Sequence, residues 1–152
     1  MKSSLIPPIF LDAIFQQARR EYPRECCGML TSRAEIPNVI AHLRPCRNLY
    51  DAYHALDPDN FPRSAGTAYF MDPRELLKIQ KANRVLGEMI RVIYHSHIDA
   101  DAYFSGEDER MAAPEKEPAY PGTDYLVISV MRGEVKDANL FSWNARQKKY
   151  LL

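Results

Sequence analysis

In the stretch VIYHSHIDADAYFSGEDER, residues 92–110, two of the chain's four histidines stand one residue apart with acids close behind. If the segment before them is a strand, residues i and i+2 point to one face, so His95 and His97 project together while Ser96 points away. Two imidazoles so placed reach one cation beyond the strand end without bending the backbone. A catalytic zinc site takes three protein ligands and keeps a fourth position for water, so a third donor is required. Asp108 is well placed to supply it, in the first turn of a helix opened by Ser105, where a short loop folds it back towards His97. Asp99, Asp101, Glu107 and Glu109 are its rivals, although Asp99 and Asp101 lie too near in sequence for a comfortable return to the same ion. A plainer description fits the same residues. Two histidines can simply end a strand, and Ser105-Gly-Glu-Asp108 is a helix start with serine as N-cap and an acid three residues on. The roles coexist, because a capping serine holds its hydroxyl fixed for donation to an oxyanion.

The elements that must position these groups follow from periodicity and punctuation. Residues 89–97 are apolar on both faces and read as a central strand. Residues 9–22 carry apolar side chains near the helical period, limited by Pro7 and Pro8 at one end and Pro23 at the other. Residues 28–32 read as a strand and 38–45 as a second, with a weak face preference. Residues 46–66 look irregular, and a loop of that length in a compact domain is more often functional than idle. Within it Tyr50, Tyr53 and Phe61 either meet a partner or pack on one another. Residues 67–71 are expected as a short strand. Asp72-Pro-Arg-Glu75 then supplies an N-cap, a first-turn proline and a capping acid for a helix that Gly87 stops. A short helix over 105–113, ended by Pro114, and strands at 125–131, 135–143 and 148–152 complete the reading. Helices flanking a mixed, mainly antiparallel sheet make the class α+β, and residues 1–152 read as a single domain.

Composition narrows the function classes. Lysine plus arginine equals aspartate plus glutamate at 20 each, so the chain carries no electrostatic footprint for nucleic acid or an anionic membrane. The N-terminal residues lack a continuous apolar run long enough for a leader or a span. Cys26, Cys27 and Cys46 are odd in number and form no C-x-x-C pair, which argues against a disulfide framework or a structural zinc knuckle. The expectation is a cytoplasmic protein with reduced thiols and neither nucleic acid nor membrane as partner. Cys26 or Cys27, next to Glu25, could also pair with His95 or His97 as a thiol hydrolase. Adjacent cysteines at the start of an apolar strand are more often buried and inert.

Taken together, His95-x-His97, seven residues, Ser105, two residues and Asp108 read as H-x-H-x(7)-S-x-x-D. With Glu25 upstream in ECCGML, just before a strand and three residues before Gly28, the pattern resembles the JAMM (JAB1/MPN/Mov34) metalloprotease family. The order of elements agrees, and the tail YPGTDYLVISV…ANLFSWN looks like the final strands of small bacterial members, so the resemblance covers nearly the whole chain. It implies an MPN/cytidine-deaminase-like core and a zinc ion (Zn2+) held by His95, His97 and Asp108 with water as fourth ligand. It further implies Glu25 as general base and Ser105 as the oxyanion donor. Family members hydrolyse peptide or isopeptide bonds that follow the Gly-Gly end of ubiquitin or ubiquitin-like proteins. The compact bacterial branch is linked to ubiquitin-like sulfur-carrier proteins, so the implied substrate is such a carrier extended beyond Gly-Gly, its tail lying along a sheet edge. Many members have proline after the second histidine and before the serine, where this chain has Ile98 and Phe104. Proline fixes φ, so the departure bears on loop stiffness and substrate fit and leaves every ligand position unchanged. Some domains of this fold have lost their ligands and serve as scaffolds, which is the non-enzymatic alternative; this chain keeps all three ligand positions and the glutamate.

Overall fold

The computed structural model describes residues 5–152, folded around a six-stranded sheet of order β2-β1-β3-β4-β5-β6. Its strands are β1 (Cys27–Arg33), β2 (Ile40–Cys46), β3 (Glu88–Ile98), β4 (Asp124–Met131), β5 (Glu134–Asn144) and β6 (Lys149–Leu151). Every pair is antiparallel except β3 with β4, so the sheet is mixed and mainly antiparallel, and the class is α+β. A parallel pair needs a crossover, and residues 99–123 supply it, carrying α4 (Gly106–Ala112) over the sheet.

The two-residue period of the strands sorts the core into two layers. On one face Leu30, Val92, Tyr94, Leu126 and Ile128 pack against Leu11, Ile14 and Ala18 of α1 (Pro8–Glu21). On the other, Met29, Ile93, Tyr125 and Val127 pack with Ile79 of α3 (Pro73–Leu86) and Ala112 of α4. His95 and His97 continue the second face, and Ser96 the first. A polar clamp holds α1 in place: Tyr94 Oη donates to Gln17 Oε1 at 2.6 Å, and Gln17 Nε2 donates to the Cys27 carbonyl at 3.0 Å. Gly28 leaves the room this clamp requires, since a Cβ there would lie 2.2 Å from Tyr94 Oη.

Asp72, Pro73 and Gly87 act around α3 as read, whereas Glu75 accepts from Arg47 Nε at 2.8 Å. The Asp72 N–H, which a capping box would pair with Glu75, donates to the Arg47 carbonyl. Asp72 accepts from the Arg74 N–H at 2.9 Å, and Gly87 closes the helix at φ 66°. Two further expectations need correction. Residues 46–66 contain a helix, α2 (Tyr50–Leu56), hidden in the sequence by the Asp57-Pro58-Asp59-Asn60 punctuation behind it. Residues 67–71 form no strand, only an isolated bridge between Asn48 and Met71. The reason is a side chain: Asn48 Oδ1 accepts from Phe70 N–H and its Nδ2 donates to the Ala68 carbonyl, both at 3.0 Å, taking groups that a ladder would have paired. Among the described residues no helix is long and apolar enough to cross a membrane.

Candidate active site

The end of β3 and the residues just before β1 meet because Cys27 pairs opposite His95 in the antiparallel register. Glu25, two residues upstream, therefore arrives at the same end of the sheet as the two histidines. Its main chain is held from two sides. Glu25 N–H donates to the Ala65 carbonyl at 2.7 Å, and its own carbonyl accepts from Asn48 Nδ2 at 2.9 Å. Ser96 fastens the next residue, its Oγ accepting from Cys26 N–H at 2.8 Å and its N–H donating back to the Cys26 carbonyl at 3.1 Å. The serine between the histidines thus orients the neighbour of Glu25 from the opposite face of the strand.

Asp108 returns to the histidines as the third residue of α4. Ser105 caps that helix reciprocally: its Oγ accepts from Asp108 N–H at 3.0 Å, while Asp108 Oδ2 accepts from Ser105 N–H at 3.0 Å. The same carboxylate lies 3.1 Å from His95 Nε2 and 3.2 Å from His97 Nε2, and the two Nε2 atoms are 3.3 Å apart. Ligands at about 2.0–2.1 Å from a tetrahedral ion are about 3.3–3.4 Å from one another. Two imidazole nitrogens and a carboxylate, donors of the kinds zinc prefers, therefore stand at separations close to those around such an ion. The nearer carboxylate oxygen is Oδ1 for His95 and Oδ2 for His97, and the residues fit the ion. His97 Nδ1 lies 2.9 Å from the Asp101 carbonyl, an acceptor only, so this nitrogen carries the proton and Nε2 keeps its lone pair for a cation. His95 Nδ1 is buried without a partner among the described residues, and that ring is held instead by Tyr69, stacked at 4.6 Å and 23°.

The electrostatics follow from this crowding. Burial alone would raise Asp108, but the two imidazoles and the Ser105 N–H override it and hold the carboxyl well below its usual range. Burial would likewise lower His97, yet its hydrogen bond and charge pairing with Asp108 raise it. Glu25, 6% exposed, goes the other way: burial pushes it up to about 7 despite the nearby histidines. Glu25, His97, Ser105 and Asp108 all line one cavity of about 320 Å³, whose facing wall comes from residues 60–70.

The rival acids have other partners, although Glu107 also lines the cavity. Asp99 accepts from Tyr22 Oη at 2.9 Å and Arg132 N–H at 2.8 Å, Glu107 pairs with Arg110, and Glu109 accepts from Tyr150 N–H at 3.1 Å. Asp101 contributes its carbonyl, to His97. Ile98 lines the cavity, whereas Phe104 turns into the core among Tyr125, Phe141 and Tyr150, with ring centroids 5.3–5.4 Å away. An aromatic anchor thus stands where a proline would have stiffened the loop. Neither Cys26 nor Cys27 lines the cavity; both are fully buried, and burial pushes the Cys26 thiol up to about 12. A protonated, enclosed thiol is a poor nucleophile. Asn48, Arg63 and Tyr69 reach the site with no signal in the local sequence: the first two come from the segment that reads as irregular, and Tyr69 from the stretch expected as a strand.

A profile described as prokaryotic homologs of the JAB domain matches residues 7–146. The chain is 29% identical over 119 residues to the CysO-cysteine peptidase of Mycobacterium tuberculosis, covering 78% of this chain and 68% of that protein. It is 30% identical over 122 residues to the desampylase of Haloferax volcanii, covering 78% of this chain and 74% of that protein. Among solved structures, a protein from Desulfitobacterium hafniense superposes with a TM-score of 0.62 at 26% identity, covering 90% of this chain and 80% of that one. A protein from Salinibacter ruber gives 0.61 at 22% identity, covering 95% and 85%, and shows the shared fold alone. With the profile spanning residues 7–146, the chain belongs to the prokaryotic homologs of the JAB domain.

Proposed function

We propose that this chain is a metal-dependent peptidase that hydrolyses the amide bond following the Gly-Gly end of a ubiquitin-like sulfur-carrier protein. The observation that carries the reading is the set of 3.1–3.3 Å separations among His95 Nε2, His97 Nε2 and the Asp108 carboxylate, beside the buried Glu25. The peptidase and desampylase among the relatives favour the same reaction class. His95, His97 and Asp108 would hold zinc, which when bound supplies Lewis-acid polarisation of a carbonyl and a more acidic water.

The chain's own residues do the rest. Glu25 accepts a proton from the attacking water and then delivers it to the departing amine. The Ser105 hydroxyl, with its oxygen held by the cap, turns its proton towards the oxyanion. Asp101 keeps His97 in the tautomer that leaves Nε2 free, and Tyr69 keeps the His95 ring in its plane. The test measures bound zinc and hydrolysis together in wild type and Glu25→Gln. One equivalent of metal is expected in both, with the rate lower by about 10²–10⁴-fold in the variant. A wild type that hydrolyses without metal would sink the reading.

A further inference from the structure

We infer that Arg63 is a specificity residue that binds the free carboxylate of the departing amino acid, so that the preferred substrate carries a one-residue C-terminal extension and not an isopeptide-linked lysine. The inference rests on the peptidase reading above and goes on to name its substrate class. Among the described residues Arg63 is the only lysine or arginine lining the cavity. Its guanidinium takes part in no ion pair among the described residues, so its charge is left for a ligand, whereas Arg110 of α4 is paired with Glu107.

The position of Arg63 relative to Glu25 is fixed by main-chain bonds on either side. Arg63 N–H donates to Tyr50 Oη at 3.4 Å. Two residues on, Ala65 N–H donates to the Asp51 carboxylate at 2.7 Å, while the Ala65 carbonyl accepts from Glu25 N–H at 2.7 Å. The cation and the proposed proton carrier therefore stand on one short, tethered stretch of wall. The positive charge of Arg63 is also felt at Glu25, where it opposes the effect of burial.

Hydrolysis adds the oxygen of water to the glycine carbonyl carbon and breaks the C–N bond. The carrier leaves with a glycine carboxylate, and the amine departs with the proton that Glu25 delivers. That amine must lie beside Glu25. In a one-residue extension the α-carboxylate carbon lies about 2.5 Å beyond the nitrogen, two bonds further on. A carboxylate so placed faces the wall that Arg63 occupies and can take both branches of its guanidinium. A lysine side chain joined through Nε would instead bring methylene groups there and leave the arginine without a partner.

The experiment compares zinc-loaded wild type, Arg63→Ala and Arg63→Lys on three forms of one ubiquitin-like sulfur carrier. The first is extended past Gly-Gly by a single alanine with a free carboxylate, the second ends in the alanine carboxamide, and the third is joined to a lysine Nε in a peptide. Wild type is expected to prefer the carboxylate over the carboxamide by about 10- to 100-fold in kcat/KM, mainly through KM. Arg63→Ala brings the ratio of carboxylate to carboxamide rates to about one, any change it makes through Glu25 being common to all three forms, and Arg63→Lys keeps part of the preference. Equal wild-type rates on carboxylate and carboxamide, or a uniform loss on all three forms in Arg63→Ala, would overturn the assignment and leave the peptidase reading standing. A zinc-loaded wild type that cleaves none of the three overturns both.

Discussion

One wall of the cavity rises from the end of β3 and the first turn of α4, and the facing wall, residues 60–70, stands on quite different ground. His95 and His97 extend a strand whose neighbours Ile93, Tyr125 and Val127 belong to a large buried layer, and Asp108 is locked by a reciprocal helix cap. The facing wall rests on a small separate cluster of Tyr50, Ala65 and Ala68, with Phe61 and Phe70 packed against it. Phe61 meets Tyr50 and Phe70 edge-on, with centroids 5.6 and 5.2 Å apart. The first arrangement holds the two imidazole nitrogens and the carboxylate 3.1–3.3 Å from one another, as a shared metal ion would demand. The second fixes a main-chain path through a few tethers and leaves side chains such as Arg63 facing the cavity. In the proposed reaction the chemistry would sit on the sheet and selection of the substrate on the satellite cluster.

The comparison can be broken most directly by removing the third donor. Asp108→Ala should abolish stoichiometric zinc binding and hydrolysis together, whereas Phe61→Ala on the facing wall should retain one equivalent of metal by elemental analysis. Loss of metal from both would show that the two walls are not separable.

A steric change deep in the sheet comes next. Gly28→Ala places a methyl group against Tyr94 Oη and should lower stability by about 2–3 kcal/mol in urea unfolding. Adding Tyr94→Phe to that variant should recover part of the loss, because the colliding oxygen is gone. No recovery would move the cause away from the α1 clamp.

Buried Glu25 gives a pH-dependent effect of similar or smaller size in the metal-free protein. Below pH about 4.5 both folded and unfolded chains hold its proton, and burial carries no penalty. Between 4.5 and about 7 the unfolded carboxyl ionises while the folded one stays protonated, so stability falls as pH rises, and the loss is complete above about 7. Glu25→Gln lacks this loss and should exceed wild type by on the order of 2 kcal/mol at pH 8, with no difference attributable to this group at pH 4. Parallel stability curves for the two proteins from pH 4 to 8 would refute the account.

The smallest effect concerns the satellite cluster alone. Phe61→Ala should weaken it by about 1 kcal/mol, seen as faster amide exchange in α2 and residues 60–70 while the central strands keep their protection. Equal acceleration in β3 would show one cooperative unit where two are described.

Local sequence was a good guide wherever a structure depends on near neighbours. The strand period placed His95 and His97 on one face, the capping box located Ser105 and Asp108, and Asp72 and Gly87 bounded α3. The same local logic failed over residues 46–71. There a helix follows an asparagine that bonds to Glu25, Ala68, Tyr50 and Phe70, and the expected strand is replaced by those side-chain bonds. Glu25, readable in isolation as a surface carboxylate at a helix end, is buried because partners 23 and 40 residues further along the chain close over its main chain.

The sequence by itself determined the donor types, their spacing and the α+β order of elements, since these rest on backbone periodicity and on capping chemistry a few residues long. Only the tertiary structure decided that the donors stand 3.1–3.3 Å apart, that Phe104 points inward and Ile98 towards the cavity, and that Arg63 faces Glu25's end of the sheet. Those outcomes depend on strand register, loop tethering and burial. Such contacts join residues far apart in the chain, and no window of neighbouring side chains encodes them.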